Sequence, residues 1–288
     1  MKIGITGANV GPFAERDHAI AFARAAEAAG VESIWTFEHV VVPSGYESTY
    51  PYSSSGRMPG DGRAPITDPL GWIAFLSAVT ERVRFGTGIL ILPEHNPIVL
   101  AKLAATIDRL SGGRLMLGVG IGWLREEFDA LGVPWERRGA RTDEYVEVLR
   151  RLWTEEETTF DGEFVHLDRA RCLPRPAQAA GVPVMVGGHT EAAARRAGRI
   201  GDGFFPAAPP ERVAELVTVM RASAEEAGRD PDAIEVTSGG TQRVDTEAVR
   251  RYEDLGVSRV VVGVPTYDPA EIERAFGELY DSVISKVS

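Results

Sequence analysis

LAKLAATIDRLSGGRLMLGVGIGW (residues 100–123) runs through a helix, a stop and a strand, and the way it ends separates two α/β architectures. Leu100, Leu103, Ile107 and Leu110 recur at i, i+3, i+7 and i+10, which lines one apolar stripe along a helix over 97–110. Ser111-Gly112-Gly113 stops that helix, and a buried strand follows over 114–119. The glycines beyond it invite a dinucleotide fold. Gly118, Gly120 and Gly122 are spaced G-x-G-x-G, however, and the third glycine of a G-x-G-x-x-G pattern would fall at Trp123. No acidic residue closes a second Rossmann strand downstream. The strand therefore ends in backbone that a ligand can approach closely, not in a dinucleotide turn.

The same unit recurs along the chain. Short apolar runs predict strands at 2–6, 33–37, 83–90, 114–119, 182–186, 202–205, 234–238 and 258–263. Segments of helical period alternate with them at 15–29, 69–80, 97–110, 138–153, 190–199, 210–227, 246–254 and 269–285. Eight strand-helix pairs within 288 residues match the (β/α)8 TIM barrel, an α/β fold, better than a doubly wound sheet. No low-complexity linker divides them, so residues 1–288 read as a single domain. Two segments exceed ordinary connections and read as insertions. The first, 40–68, follows the second strand and is rich in Pro, Gly, Ser and Tyr. The second, 154–181, lies between the fourth helix and the fifth strand; its Asp161-Gly162, between two β-prone runs, predicts a hairpin. The first insertion stands at the C-terminal end of its strand, the face where barrel enzymes place their active sites.

A formal net charge of -11 argues against a nucleic-acid surface, which needs clustered Lys and Arg. The opening MKIGITGANV lacks a basic n-region followed by a long apolar stretch, and no window approaches the ~20 apolar residues of a spanning helix. A single cysteine, Cys172, excludes an intramolecular disulfide and a multi-cysteine metal site. The expected setting is the cytoplasm, with a small-molecule substrate and neither nucleic acid nor membrane as partner.

The chemistry is carried by position more than by motif. There is no G-x-x-x-x-G-K-[ST], H-E-x-x-H or G-x-S-x-G, and the five histidines show no metal-ligand spacing, so no metal site is expected. His39, His95 and His189 each follow the C-terminal end of a predicted strand, and a barrel gathers those ends on one rim. His39 is the preferred catalytic candidate, with Glu38 beside it to tune it and the insertion to shelter it; His95, flanked by prolines, reads as a loop-shaping residue. Each is also readable as a loop imidazole bonded to backbone or water. PVMVGGHTEAAARR (183–196) carries the same ambiguity. Gly187-Gly188 serves either as a turn of positive φ capped by Thr190, or as an anion pocket at a helix N-terminus.

Three stretches, EHVVVP (38–43), DPLGWIAF…DALGV (68–133) and VPVMVGGHTEAAARRAGRIGDGFFP (182–206), resemble the bacterial luciferase-like superfamily, and more closely its coenzyme F-420-dependent oxidoreductases. The resemblance covers most of the first 206 residues and weakens beyond them. It implies a barrel, usually homodimeric, that binds FMN or a deazaflavin at the C-terminal strand ends. By position it implies a cis peptide at Gly88-Ile89 in a bulged third strand, backing the cofactor ring. Gly122 and Trp123 then form a neighbouring wall, and Gly187, Gly188, His189 and Thr190 receive the cofactor phosphate. His39 becomes the group that exchanges a proton with substrate, as an unperturbed imidazole of pKa about 6.5 does near neutrality. Several FMN-binding relatives carry arginine where this chain has Ile121, which favours coenzyme F-420 over FMN. Arg57 and Arg63 read as partners for an acidic cofactor tail or as solvated charges, and Trp35, Phe37, Tyr46, Tyr50, Tyr52 and Trp123 as pocket walls or core. The expectation is thus hydride transfer between F-420 and a small organic substrate. The alternatives are an FMN-dependent monooxygenase and a flavin-binding protein without turnover. The substrate pocket is expected from 40–68 and the loops after the seventh and eighth strands.

Overall fold

The computed structural model describes residues 1–240 and 245–287, with the side chain of Asp61 excepted. Part of the loop after the seventh predicted strand, 241–244, lies outside the described residues. Eight parallel strands close on themselves. In chain order they are β1 (Lys2–Thr6), β2 (Ser33–Thr36), β3 (Arg84–Thr87) with its continuation β4 (Leu90–Ile91), β5 (Leu115–Gly120), β8 (Val184–Gly187), β9 (Gly203–Phe205), β10 (Glu235–Gly239) and β11 (Arg259–Gly263). Each pairs with the next, β3 also pairs with β5, and β11 returns to β1, which closes the expected (β/α)8 barrel. The antiparallel pair β6 (Thr158–Asp161) and β7 (His166–Ala170) stands apart from it.

Period-2 alternation divides the core. Ile34, Leu115, Leu117, Val184, Val186, Phe204, Val260 and Val262 face the surrounding helices, while Trp35, Met116, Met185, Phe205 and Val261 fill the barrel interior. Trp35 and Phe205 meet edge to face at 5.2 Å. Trp35 is therefore core, not a wall of a rim pocket.

The helices follow the apolar periodicity closely: α1 (Arg16–Ala28), α2 (Pro69–Ser77), α3 (Pro97–Ser111), α5 (Arg138–Thr154), α6 (Glu191–Ile200), α7 (Pro210–Glu226), α8 (Thr246–Asp254) and α9 (Ile272–Leu279). Four features differ from the sequence expectation. A short helix, α4 (Arg125–Leu131), appears in the connection before α5; with Arg-Glu-Glu-Phe-Asp at its start it has too little apolar period to announce itself. The hairpin connection is 162–165, closed by Gly162 N–H on Val165 O, rather than a two-residue Asp161-Gly162 turn. The last helix is interrupted by a π-turn at Tyr280–Ile284. In α3 the expected stripe divides: Leu100 and Ile107 are 2% exposed, but Leu103 and Leu110 are 42% and 77% exposed. Small residues explain the shift, since Ala101, Ala104 and Ala105 centre the buried face and let the helix lie close to the sheet.

The N-terminal end of the barrel is closed by charge. Arg259, fully buried at the start of β11, donates to both carboxylate oxygens of Glu32 at 2.7 and 2.9 Å, to Thr237 at 2.9 Å and to Glu235. Burial pushes the carboxyls of Glu32 and Glu235 up, but the Arg259 contacts outweigh it and hold both below their ordinary value of 4.5. Their contribution to stability is therefore present above that value and is lost as pH falls through the depressed ones. Removing Arg259 leaves Glu235 with Lys2 alone and Glu32 with only the longer contact to Arg84 at 3.8 Å. Arg259→Ala is expected to lose about 3 kcal/mol in urea unfolding at pH 7, the low end for a broken buried pair because the two glutamates are partly solvated. A loss below about 1 kcal/mol would show the cluster to be no stronger than a surface ion pair.

Candidate active site

At the opposite end, α4 governs the geometry. Its first turn presents two adjacent glutamates to two parts of the 40–68 insertion. Glu127, wholly buried, accepts hydrogen bonds from His39 Nδ1 at 2.7 Å, Val40 N at 2.6 Å and Val41 N at 3.1 Å. Glu126 accepts from Glu47 N at 2.6 Å and from the backbone and hydroxyl of Ser48 at 3.0 and 2.6 Å. The Ser48 hydroxyl, with these amides, holds its pKa at about 2. With Glu127 as the acceptor, Nδ1 carries the proton of this hydrogen bond and Nε2 is the ring nitrogen turned away from the carboxylate. That orientation is what a proton-transferring histidine requires.

A second pair lies alongside. Glu38, 5% exposed, accepts from His95 Nε2 at 2.9 Å and from Ile91 N. Burial disfavours the His95 imidazolium, but the hydrogen bond and charge of Glu38, with Asp68, outweigh it and raise its pKa. Glu38 thus bonds His95 and β4, and the carboxylate bonded to His39 is Glu127 instead of the neighbouring Glu38. Glu38 and His39 both lie in the connection just past β2, which ends at Thr36, and their side chains part there, Glu38 to His95 and His39 to Glu127.

Strand three bends between these groups. Gly86 pairs with Met116 while Leu90 pairs with Val119, four residues against three, so one extra residue bulges from β3–β4. The Gly88-Ile89 peptide within the bulge is cis. The Ile89 side chain lies over the ends of β5 and β8, where a Cβ on Gly120 would stand 2.6 Å from its Cδ1 and a Cβ on Gly187 2.5 Å from its Cγ2. The two glycines are thereby accounted for by close packing. At Gly188 the turn itself decides, with φ of 141° and Ala193 Cβ 2.7 Å from any added Cβ.

Gly188 N–H is bonded to Phe205 O at 3.2 Å, and Thr190 caps α6 through Ala193 N at 3.2 Å. Among the described residues, the N–H groups of His189 and Thr190 have no hydrogen-bond partner. Two buried side-chain nitrogens nearby are also unpartnered, His189 Nδ1 and Arg138 Nε. Arg138 opens α5, whose Gly139 lies against Arg196 of α6, and its guanidinium stacks 3.7 Å above Trp135. Burial, followed by the charge of Arg212, lowers the pKa of His189. The two backbone N–H groups are donors left open at a helix N-terminus, a position that favours an anion.

An aromatic run joins the two ends of the rim. Trp123 meets His39 at 5.7 Å, Tyr46 at 5.5 Å and Tyr50 at 5.1 Å; Tyr50 meets Tyr52 at 5.4 Å, and Tyr52 meets His189 at 5.3 Å. His39, Trp123 and His189 thus belong to one surface, bordered by Ile89, Gly122 and the 187–190 turn. Arg57 stacks 4.9 Å above the Tyr46 ring and donates to the Tyr46 carbonyl, and both Arg57 and Arg63 are exposed. Glu127 and Arg138 escaped the sequence reading. Glu127 lies on a helix with no apolar signature, and Arg138 is one arginine among several in WERRGAR.

A family description for luciferase-like monooxygenases matches residues 4–280. The chain belongs to that family and is an oxidoreductase. It is 35% identical over 277 residues to an uncharacterized protein of Mycobacterium tuberculosis, covering 93% of this chain and 95% of the relative. It is 33% identical over 267 residues to an F420-dependent glucose-6-phosphate dehydrogenase of Nakamurella multipartita, covering 88% of this chain and 73% of that protein. Among solved structures, an F420-dependent secondary alcohol dehydrogenase in complex with an F420-acetone adduct superposes over all of this chain and 99% of the other, with a TM-score of 0.80 at 19% identity. This last likeness concerns the fold.

If Glu127 holds the insertion, Glu127→Ala leaves three N–H donors without a partner. Hydrogen exchange at Val40 and Val41 is expected to accelerate by at least about tenfold, the rate equivalent of 1.4 kcal/mol, while exchange in β10 and β11 is unchanged. Unaltered protection at Val40 and Val41 would contradict the anchoring.

Proposed function

We propose that the chain transfers a hydride between coenzyme F-420 and a small organic substrate, with His39 managing the accompanying proton. One observation carries this reading: a continuous ring surface runs from an oriented histidine–carboxylate pair to a helix N-terminus with open N–H groups. That spacing of functions suits a phosphorylated tricyclic carrier. The F420-dependent relative at 33% identity supports the same choice, as does Ile121 in place of an arginine. The residues present fit the group. Gly187, Gly188, His189 and Thr190 would receive its phosphate, with Arg138 Nε as a further donor, and Gly88, Ile89, Gly122 and Trp123 would border its ring. When bound, a reduced deazaflavin supplies hydride only, as a two-electron donor. The chain does the rest. Ile89 and Trp123 exclude water from one face, Glu127 fixes the His39 tautomer, and Nε2 takes or returns a proton at the substrate heteroatom.

The second reading is an FMN-dependent monooxygenase, favoured by the family's own description. The two are separated by titrating apoprotein with each cofactor. Saturable F-420 binding is expected, weakened about tenfold in Arg138→Ala, the loss of one hydrogen bond to a charged group, and unchanged in His39→Ala. FMN binding without F-420 binding would overturn the choice. Tight binding of either cofactor with no substrate oxidation would favour a non-catalytic carrier.

We further infer a homodimer, acting in the cytoplasm. Val99, Leu103 and Leu110 of α3 are 65%, 42% and 77% exposed on one helix face, with Phe75 of α2 at 40%. An apolar face of this kind is covered in most stable assemblies. Sedimentation of the wild type is expected at twice the chain mass, and of Leu103→Glu/Leu110→Glu at one chain mass. A monomeric wild type would contradict the assembly.

A further inference from the structure

Residues 42–64 are bound to themselves more than to the barrel. Tyr46 Oη accepts from Met58 N at 2.9 Å, Arg57 donates to Tyr46 O, and Tyr50 N donates to Gly56 O at 2.9 Å. The two ends of the segment meet, since a Cβ on Gly62 would stand 2.5 Å from Cγ1 of Val42. This is a compact loop with joined ends, able to move as one body. On either side of it the chain is fastened to the barrel. Glu127 holds Val40 and Val41, and Asn9 bonds Thr67 through both its carbonyl and its N–H. Within 42–64, among the described residues, the hydrogen bonds to the rest of the chain all run to the start of α4.

That attachment centres on one hydroxyl. Ser48 Oγ donates to Glu126 at 2.6 Å and accepts from Arg125 N at 3.2 Å. It thereby caps α4, whose own N-cap, Leu124, offers no side-chain bond. Ser48 and Glu126 are only half-buried, so water can take over each bond when they part. Near the two ends of the loop, Gly45 and Gly60 have φ of 80° and 70°, and an added Cβ would meet nothing within 4 Å. Rotation there disturbs no packing, as a hinge requires. The loop carries three of the rim's rings. Tyr46 and Tyr50 lie on Trp123, and Tyr52 lies on His189 at 5.3 Å, in the turn whose N–H groups are open.

We propose that residues 42–64 are a lid through which the cofactor enters and leaves, latched by Ser48 on Glu126 and Arg125. The inference rests on the F-420 reading of the same rim. Trp123, beside the expected ring, and His189, in the turn expected to receive the phosphate, are both covered by this one body. Exchange of the cofactor therefore requires the body to swing away. The latch groups are distinct from those that border the ring or receive the phosphate, so the latch sets how often the lid is open and not how well the cofactor fits. Weakening it speeds entry and exit alike.

The test follows F-420 and, separately, FMN by their fluorescence after rapid mixing with the protein and after displacement. Ser48→Ala, which deletes both bonds of the hydroxyl, is expected to raise the association and dissociation rates each by about tenfold and to leave Kd within about threefold. Ser48→Thr, which keeps the hydroxyl, should return both rates toward wild type. Hydrogen exchange reads the motion without cofactor. In Ser48→Ala the amides of Glu47 and Ser48 should exchange faster, while those of Tyr50 and Gly56, bonded inside the lid, and of Val40 and Val41, held by Glu127, keep their protection. A rise in dissociation alone would mark a loosened site and overturn the gate, as would unchanged rates or equal acceleration at Tyr50 and Gly56. Unchanged fluorescence with both cofactors removes the cofactor reading itself, whereas binding with wild-type rates in Ser48→Ala removes only the lid.

Discussion

The rim depends on a single buried carboxylate. Glu127 has no water to fall back on, and it meets three N–H donors, two of them consecutive backbone amides and the third the ring of His39. The two amides fix where the chain leaves β2, and the imidazole is aimed by the same charge. A carboxylate so buried is costly unless it is fully satisfied, and a histidine so held has one tautomer. Position of the insertion and orientation of the base are therefore one constraint and not two. Glu126, one residue earlier, fastens the middle of the insertion from the more exposed side of the same helical turn.

Stability and chemistry occupy opposite ends of the barrel. The N-terminal end is closed by Arg259 between Glu32 and Glu235, each charge answered by another. The C-terminal end leaves groups unanswered: Glu94, Nδ1 of His189 and Nε of Arg138 are buried without partners. Between the two ends the interior is filled by Trp35, Met116, Met185, Phe205 and Val261, so a ligand can enter only from the rim. The bulge in β3–β4 turns Ile89 across two strand ends and gives that rim an apolar floor.

Much of this was legible in the chain. The alternation of short apolar runs with helical periods is a local signal, and it located every barrel strand. His39 and the 187–190 turn were singled out because each follows a strand end, a position that a barrel turns into proximity, whereas Gly88-Ile89 and Trp123 came from the family resemblance. What escaped are contacts made across the fold. No pattern in the sequence ties residue 39 to residue 127, and α4 lacks the apolar spacing that would have marked it. Glu38 was assigned to its neighbour His39 by adjacency, whereas in the fold it meets His95, 57 residues away. The packing of Ile89 onto Gly120 and Gly187 was equally hidden. Glycine within a strand records that something approaches closely, without saying what.

The most direct measurement is a crystal structure of the protein with F-420 bound. The account predicts the ring over Ile89 and beside Trp123, the phosphate at the N–H groups of His189 and Thr190, and His39 still joined to Glu127 with Nε2 toward the reactive face. F-420 bound away from this rim, or His39 parted from Glu127 and turned to solvent, would contradict it.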